Sequence, residues 1–350
     1  MVGIVGADGA VALPWLEQPL RQVLQTQRGH ALLVHGPQGV GQFELASMLA
    51  QSWLCEAAPQ ASETGFEPCG VCASCRLFQA RSHPDLLVLL PEAQRAALGW
   101  GVGSADGSGD DVGAEKQGKA KPSKEIKVDS VRQAISFAQT SSARGRGKVV
   151  LIHPAERMNA IAANTLLKTL EEPPGEARFL LSCAAPDGLL PTIRSRCQAV
   201  PLMVPATDLA ITWLKQQGVL QPEVLLAAAG GQPTEALDWF RQGIDSALWS
   251  RIPAWVQAGD AAAFVNWPLP RLIDALQKLC HDAMSLTAGS APRYFPAPSV
   301  PAAATLGALL AWSGELMRAS RHAEHPWNAG LMMESLLQQG RRALHRPAGI

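Results

Sequence analysis

The feature that most constrains the fold is a glycine-rich turn between an apolar run and a helical pattern. Residues 31–43 read ALLVHGPQGVGQF, in which the first five letters suit a short buried strand. Glycines follow at Gly36, Gly39 and Gly41, and apolar residues then recur at helical spacing over 45–53. Glycines at this spacing let backbone N–H groups curl around a phosphate at the start of a helix. The segment therefore predicts a strand, a loop of the phosphate-binding type and a helix.

The side chains that a catalytic loop of this kind requires are missing from the sequence. In a working loop the glycines are followed by a lysine that balances the outer phosphates and a hydroxyl that binds magnesium; this chain has Gln42 and Phe43. An acidic pair is also required at the end of a neighbouring strand, whereas VVLI is followed by His153 and Pro154. Proline supplies neither a carboxylate nor an N–H. We therefore expect no ATP bound or hydrolysed by this chain alone, and interpret GPQGVG as a structural turn.

Strand and helix signals alternate over the first two hundred residues. Further short apolar runs predict strands at 85–90, 149–153 and 178–183, and helical periodicity is found at 128–139 and 160–172. Strands that alternate with helices predict a parallel sheet covered on both faces. The front of the chain is therefore predicted to be an α/β domain.

Two further regions differ from this pattern. After about residue 205 the strand signals end, and the remaining sequence predicts helices. Residues 99–124 are rich in Gly, Asp, Ser and Lys, which predicts a flexible insertion because such a segment has too little apolar surface to order itself. Its lysines are Lys116, Lys119, Lys121 and Lys124. They offer contacts to a phosphate backbone, but charge runs usually face solvent, and a solvated loop is the preferred interpretation.

Length and charge limit the classes of protein. A chain of 350 residues with 47% hydrophobic residues suggests two or three globular domains. Thirty basic residues balance thirty acidic ones, so the net charge favours neither a nucleic acid nor a membrane as partner. No apolar run approaches the roughly 20 residues that cross a bilayer, and no Lys or Arg precedes Arg21, unlike in a secretory signal. A cytoplasmic location is therefore expected.

Four of the seven cysteines are crowded into one short segment. Cys55, Cys69, Cys72 and Cys75 have a spacing typical of zinc ligands in a reducing compartment. Four thiolates give zinc a closed tetrahedral shell, so the expected metal is structural. The alternative is four free buried thiols. The isolated cysteines are interpreted as small core residues: Cys183, Cys197 and Cys280.

The motifs together resemble those of one known family. The segments HALLVHGPQGVGQ, RSHPDLLVLLP, IKVDSVRQ, NTLLKTLEEPP and IRSRC, with the four-cysteine insertion, resemble in content and order the delta-prime subunits of bacterial DNA polymerase III clamp loaders. These subunits are relatives of the AAA+ ATPases. The match spans nearly the first two hundred residues; beyond them the chain is similar only in being helical and in the stretch GGQPTEAL.

The resemblance implies a division into three domains. An α/β P-loop domain of the AAA+, RecA-like type is expected over 1–204, with the zinc module at 55–75 and the flexible insertion inside it. A small helical lid is expected over 205–247. An all-α collar domain that mediates oligomerisation is expected over 248–350.

The resemblance also implies that nucleotide chemistry has been lost. Relatives that hydrolyse ATP carry Lys-Thr in the loop and Asp-Glu after the strand, so Gln42, Phe43, His153 and Pro154 are departures from that pattern. The sensor arginine of the family would lie at Thr234, a third missing charge. These departures match the delta-prime branch, whose members do not hydrolyse ATP.

One catalytic part of the family pattern is retained. Ser195, Arg196 and Cys197 resemble the family's Ser-Arg-Cys motif, whose arginine reaches into the ATP site of the neighbouring subunit. The alternative is that Arg196 is an ordinary surface ion-pair former, and Arg194 lies two residues away.

The stretch LLKTLEEPP is interpreted as the end of a helix. It buries its leucines and stops at Pro173 and Pro174. Any interface role for Lys168, Glu171 and Glu172 is implied by the resemblance alone.

The function implied by the resemblance is that of a non-hydrolysing subunit which helps load the beta sliding clamp onto primed DNA. The implied partners are the gamma or tau ATPase subunits and the delta subunit in a hetero-pentameric ring, the clamp, and primer-template DNA bound weakly and without sequence preference. Enzyme activity would then belong only to the DNA polymerase as a complex. Two alternatives stay open: an active ATPase of the same family, and a stand-alone zinc module that binds nucleic acid.

Overall fold

The computed structural model describes residues 11–27, 29–57, 68–100, 122–301, 305–322 and 329–345. The chain divides into two compact units, Met1–Pro205 and Ala206–Ile350. Most of the predicted flexible insertion, residues 101–121, lies outside the described residues.

The first unit is built on a five-stranded parallel sheet. Its strands are β1 (Ala31–His35), β2 (Leu86–Leu89), β3 (Val149–Ile152), β4 (Arg178–Cys183) and β5 (Gln198–Pro201). Their order across the sheet is β2-β3-β4-β1-β5, and every neighbouring pair is parallel. All strands therefore end at the same edge, where β1 leads into the glycine loop and β3 leads into His153.

Helices cover both faces of this sheet. Those described in the first unit are α1 (Glu17–Thr26), α2 (Gln42–Leu54), α3 (Ala73–Gln79), α4 (Glu92–Arg95), α5 (Val128–Gln139), α6 (Ala160–Glu171) and α7 (Pro191–Arg194). On one face, alternate strand residues such as Leu33, Val150 and Phe179 join the apolar sides of α5 and α6 in one buried core. Helix α2 contacts β1, β3 and β4. Burial on both faces explains why the strands are continuous apolar runs.

The predicted fold class is confirmed: the first unit is a parallel α/β domain with a cysteine cluster, and helices follow it. Sequence reasoning missed β5. Three of its four residues are exposed, and it ends in a proline at the edge of the sheet, so its sequence has no apolar run to reveal it.

The described residues of the second unit form helices joined by loops and contain no strand. Its helices are α8 (Thr207–Gln216), α9 (Pro222–Ala228), α10 (Pro233–Arg241), α11 (Ser246–Ala258), α12 (Leu269–Thr287), α13 (Leu306–Arg321) and α14 (Ala329–Leu344). Helices α8, α9 and α10 contact one another, as do α12, α13 and α14, while α11 contacts both α9 and α14. The predicted boundary after residue 247 falls in the first turn of α11, and the division into lid and collar stays a prediction.

One aromatic cluster and one polar cluster stabilise the second unit. Trp249 stacks between Trp239 and Phe295, with ring centroids 5.0 and 4.8 Å away. The fully buried Asp282 accepts hydrogen bonds from three consecutive backbone N–H groups at 293–295, each 2.8 Å long. Among the described helices of the chain, none is long and apolar enough to cross a membrane.

Candidate functional site

The glycine loop adopts a conformation that depends on its glycines. Gly41, the residue before α2, has a φ of 101°, which strains any other residue. A side-chain carbon at this position would also lie 2.8 Å from Leu13 Cδ1 and 2.9 Å from Leu16 Cδ1. Trp15 Nε1 donates a hydrogen bond of 2.8 Å to the carbonyl of Val40. The segment before α1 therefore packs directly against the loop.

The side chain of Gln42 forms hydrogen bonds with backbone carbonyls of the loop. Its Nε2 donates to the carbonyls of Gly36 and Pro37 at 2.6 and 2.5 Å. The residue is only 6% exposed. A lysine in a working loop directs its ammonium toward phosphates, whereas this neutral amide is directed back at the backbone carbonyls.

Phe43 and His153, which stand at the sequence positions of the magnesium-binding side chains in the catalytic pattern, are in contact. Phe43 is 3% exposed, and the centroids of its ring and that of His153 are 4.9 Å apart. His153 Nδ1 hydrogen-bonds Ser182 Oγ at 2.9 Å. Burial lowers the pKa of His153 to about 4, so the imidazole is neutral at pH 7. The pair is thus an uncharged, packed contact in place of metal ligands.

The structure brings together most of the predicted nucleotide-site residues. The loop from Gly36 to Phe43 and the residues His153 and Pro154 lie at the same edge of the sheet, and none of them carries a charge at pH 7. Thr234 lies in the first turn of α10, in the second unit, and is half-buried. The absence of nucleotide binding stays a prediction.

The four clustered cysteines converge in the first unit. Their sulfur atoms all lie within 4.8 Å of one another, with Cys55 Sγ 3.5 Å from Cys69 Sγ and 3.9 Å from Cys72 Sγ, and Cys69 Sγ 3.9 Å from Cys75 Sγ. Four sulfurs bound tetrahedrally to zinc at about 2.3 Å lie about 3.8 Å apart. The donor set and its spacing therefore fit a tetrahedral metal ion.

Backbone groups support negative charge on these sulfurs. The N–H groups of Cys69, Cys72 and Cys75 point at the sulfurs of Cys55, Cys69 and Cys72 at 3.5, 3.3 and 3.4 Å. A hydrogen bond from the Cys75 side chain lowers the pKa of Cys55 to about 4, whereas burial raises the pKa of Cys69 and the hydrogen bond to Cys55 raises the pKa of Cys75. All seven cysteines are free of disulfides, and the remaining three are buried, as predicted for core residues.

A polar network that sequence reasoning did not identify ties the cysteine module to the sheet. Ser74 Oγ hydrogen-bonds His83 Nε2 at 2.8 Å, and His83 Nδ1 accepts from the N–H of Asp85 at 3.0 Å. The fully buried Asp85 carboxylate accepts from Ala143 and Arg144 N–H groups at 2.7 and 2.9 Å. These hydrogen bonds, despite its burial, lower the pKa of Asp85. The signal was available: HPD places two polar side chains directly before an apolar strand.

Arg196 lies in an exposed corner between α7 and β5. Its Nε donates to Glu171 Oε1 at 2.7 Å, Nη2 contacts the same oxygen, and Nη1 donates to the carbonyl of Thr192 at 2.9 Å. Ser195 Oγ also donates to that carbonyl, at 3.2 Å, whereas the Cys197 side chain is buried. Arg196 thus forms the surface ion pair that the alternative interpretation predicted, and a role in trans stays a prediction.

Glu171 and Arg194 occupy distinct positions around this corner. Glu171 is the last residue of α6, which ends before Pro173. Of the three leucines predicted to mark its buried face, Leu166 and Leu170 are buried and Leu167 is half-buried against the same core. Arg194 forms a separate ion pair with the exposed Asp187 at 3.0 Å. The two neighbouring arginines therefore have different partners.

Comparison with known proteins gives consistent matches. The family model described as "DNA polymerase III, delta subunit" matches residues 15–205. The chain is 38% identical over 239 residues to DNA polymerase III subunit delta' of Pseudomonas aeruginosa, covering 66% of this chain and 62% of that protein. It is 32% identical over 296 residues to subunit delta' of Escherichia coli (strain K12), covering 78% of each chain. A crystal structure of a DNA polymerase III gamma subunit-related protein from Thermotoga maritima is similar with a TM-score of 0.49 and 19% identity, over 95% of this chain and all of that one.

Proposed function

The chain belongs to the family of DNA polymerase III delta-prime subunits, and from this membership we propose that it is a non-hydrolysing member of a clamp-loader ring. In this proposal it joins gamma or tau ATPase subunits and a delta subunit in a hetero-pentameric ring in the cytoplasm. The ring places the beta sliding clamp on primer-template DNA. The chain touches DNA only through phosphates and binds it weakly when alone, in keeping with its net charge of zero.

The observation that carries this proposal is that the glycine loop forms hydrogen bonds and packing contacts with the chain's own neutral side chains. Gln42 is bonded to the loop carbonyls, and Phe43 is packed on His153. A phosphate chain with magnesium would meet neither a cation nor a carboxylate among these residues. The chain therefore contributes shape and contacts to the ring but no ATP site of its own, and Thr234 contributes no sensor charge.

Arg196 supplies the chemical contribution in this proposal. Its guanidinium lies at the surface and is held by two acceptors on neighbouring elements. A guanidinium supplied by a neighbouring subunit stabilises the negative charge that develops on a transferring phosphate, and is worth about a thousandfold or more in rate. Ser195 and Cys197 fix its place, the first on the Thr192 carbonyl and the second in the core.

The cysteine cluster holds a structural zinc ion in the proposed protein. Cys55, Cys69, Cys72 and Cys75 supply four sulfurs at a suitable spacing, which leaves no ligand position for water or substrate. The metal would fix the module in place and take no part in chemistry.

The test compares rings that contain the wild-type chain, Arg196→Ala or the matched control Arg194→Ala. We expect all three rings to assemble. Single-turnover ATP hydrolysis at the site adjoining this chain should fall about a thousandfold with Arg196→Ala and remain unchanged with Arg194→Ala. Unchanged hydrolysis with Arg196→Ala would contradict the proposal.

Titrations of the isolated chain separate the remaining alternatives. Tight, magnesium-dependent ATP binding would identify an active ATPase. Tight DNA binding without partners, persisting as salt is raised, would identify a nucleic-acid module. The proposal expects neither result.

A further inference from the structure

We propose that Glu171 is a positioning residue for Arg196, holding the guanidinium in the orientation in which it meets the neighbour's ATP. This inference rests on the proposed function of Arg196 in trans. Glu171 Oε1 accepts from Nε at 2.7 Å and also contacts Nη2, so one carboxylate oxygen holds one whole edge of the guanidinium. Nη1 is held separately by the Thr192 carbonyl at 2.9 Å.

Glu171 occupies the side edge of the guanidinium, which is formed by Nε and Nη2. A guanidinium has five N–H groups, one on Nε and two on each terminal nitrogen. The carboxylate uses the Nε edge and one N–H of Nη2, so a second N–H of Nη2 is directed along the terminal edge. The proposal requires an incoming phosphate oxygen to bind at this terminal edge, between Nη1 and Nη2. A carboxylate on the terminal edge would block phosphate binding there. Glu171 contacts the side edge instead, so the geometry points to a role in orienting the guanidinium.

Both acceptors are fixed by packed elements. Glu171 ends α6 directly after Leu170, which is buried, and Thr192 precedes Ile193, which is fully buried in α7. The arginine side chain itself is 29% exposed and that of Glu171 is 48% exposed. A long surface side chain without these acceptors samples many rotamers, and its guanidinium would reach the transition state only part of the time.

The size of the expected effect follows from the cost of misplacement. A displacement of about 1 Å in a catalytic group lowers a rate by about 100-fold. In the assembled ring, Glu171→Ala should therefore slow single-turnover hydrolysis at the adjoining site about 10- to 100-fold, with the KM for ATP unchanged. Glu171→Gln should retain most of the rate, because its amide oxygen accepts from the same N–H groups.

A double substitution and a matched control test whether Glu171 acts through Arg196. Adding Glu171→Ala to Arg196→Ala should cause no further loss, because the group that Glu171 orients is already gone. Asp187→Ala breaks the comparable ion pair with Arg194 and should leave the rate unchanged. Glu171→Asp keeps the charge but shortens the side chain, so its rate should fall toward that of Glu171→Ala. It also serves as the second variant if Glu171→Ala does not enter the ring.

The outcomes separate the inference from the proposed function. A rate that rises with Glu171→Ala would show a shielding role and overturn the inference. An unchanged rate with Glu171→Ala or Glu171→Asp, in rings where Arg196→Ala is slow, would overturn it and leave the role of Arg196 intact. A further loss in the double variant would likewise overturn it. No effect of Arg196→Ala would instead remove the proposed function on which the inference rests.

Discussion

The glycine loop and the cysteine cluster are both patterns that bind ligands in other proteins, but their side chains are arranged in opposite ways. In the loop, the amide of Gln42 bonds the carbonyls of Gly36 and Pro37, and Phe43 packs on His153. The chain's own groups thus satisfy one another. In the cluster, four sulfurs face each other within 4.8 Å, and backbone N–H groups point at three of them.

The difference shows how each motif satisfies its own polar groups. Buried polar groups require partners, and the carbonyls of the loop between β1 and α2 have found them in the neutral side chains of Gln42 and Trp15. Sulfurs crowded at this spacing are weak hydrogen-bond partners for one another. A metal cation stabilises thiolates held so close together far better. The cluster should therefore depend on its ligand, and the loop should not.

The largest expected effect is therefore the loss of metal from the cluster. We expect the purified chain to contain one zinc ion, with a binding free energy on the order of 10 kcal/mol. Cys72→Ser removes one ligand and should abolish stoichiometric zinc, measured by elemental analysis. Hydrogen exchange over 68–80 should then become fast, since the metal orders this module.

The control for this prediction is Cys280→Ser, which changes an isolated buried cysteine of α12. That variant should keep its zinc whatever it loses in stability. A wild-type chain without stoichiometric metal, or one whose exchange over 68–80 is unaffected by a strong chelator, would contradict the comparison and favour four free thiols.

The same two regions show how far the sequence leads. The glycine loop, four of the five strands and the cysteine cluster follow from local patterns, because apolar periodicity and cysteine spacing are properties of neighbouring residues. The strand at 178–183 and the helix at 128–139 have the predicted bounds. The edge strand β5 was missed, because three of its four residues are exposed.

Local sequence patterns did not predict the contacts between segments that are distant in the sequence. The pair of Glu171 and Arg196 joins residues 25 positions apart, and the Ser142 hydroxyl bonds Asp85 across 57 positions. The sequence shows that Gln42 and Phe43 lack the catalytic groups, but only the fold shows which carbonyls and which ring they contact. Partners of this kind depend on the order of strands in the sheet, which no local pattern specifies.

A second prediction examines the packed side of the loop. Phe43→Ala removes a buried ring of α2 that packs against His153. It should lower the free energy of unfolding by about 3–5 kcal/mol through lost burial and a residual cavity. Chemical denaturation measures this change. Ile161→Ala, at an exposed position of α6, serves as the control and should change stability by no more than about 0.5 kcal/mol.

The outcome of Phe43→Ala bears directly on the comparison. The variant should gain no ATP binding, because the space it opens adjoins no cation and no carboxylate of the loop. A loss of stability as small as that of Ile161→Ala would show that the Phe43 ring does not contribute to the packing of the glycine loop. Measurable ATP binding would show that only the ring had closed the site.

The smallest expected effect concerns pH, through the neutral His153 that packs on Phe43. Burial lowers the pKa of His153 to about 4 in the folded chain, against about 6.5 when unfolded. Between these two values the unfolded chain binds a proton that the folded chain does not, so stability falls as the pH falls, by about 3 kcal/mol in total at most. The contribution is fully present above pH 6.5 and is lost down to about pH 4.

His153→Asn keeps a polar partner for Ser182 but does not titrate, so denaturation curves from pH 7.5 to 4.5 should show a smaller loss of stability for the variant than for wild type. Equal losses of stability in the variant and the wild type would mean that the His153 imidazole is protonated in the folded chain. The loop would then be accessible to water, in contradiction to the buried contact between Phe43 and His153.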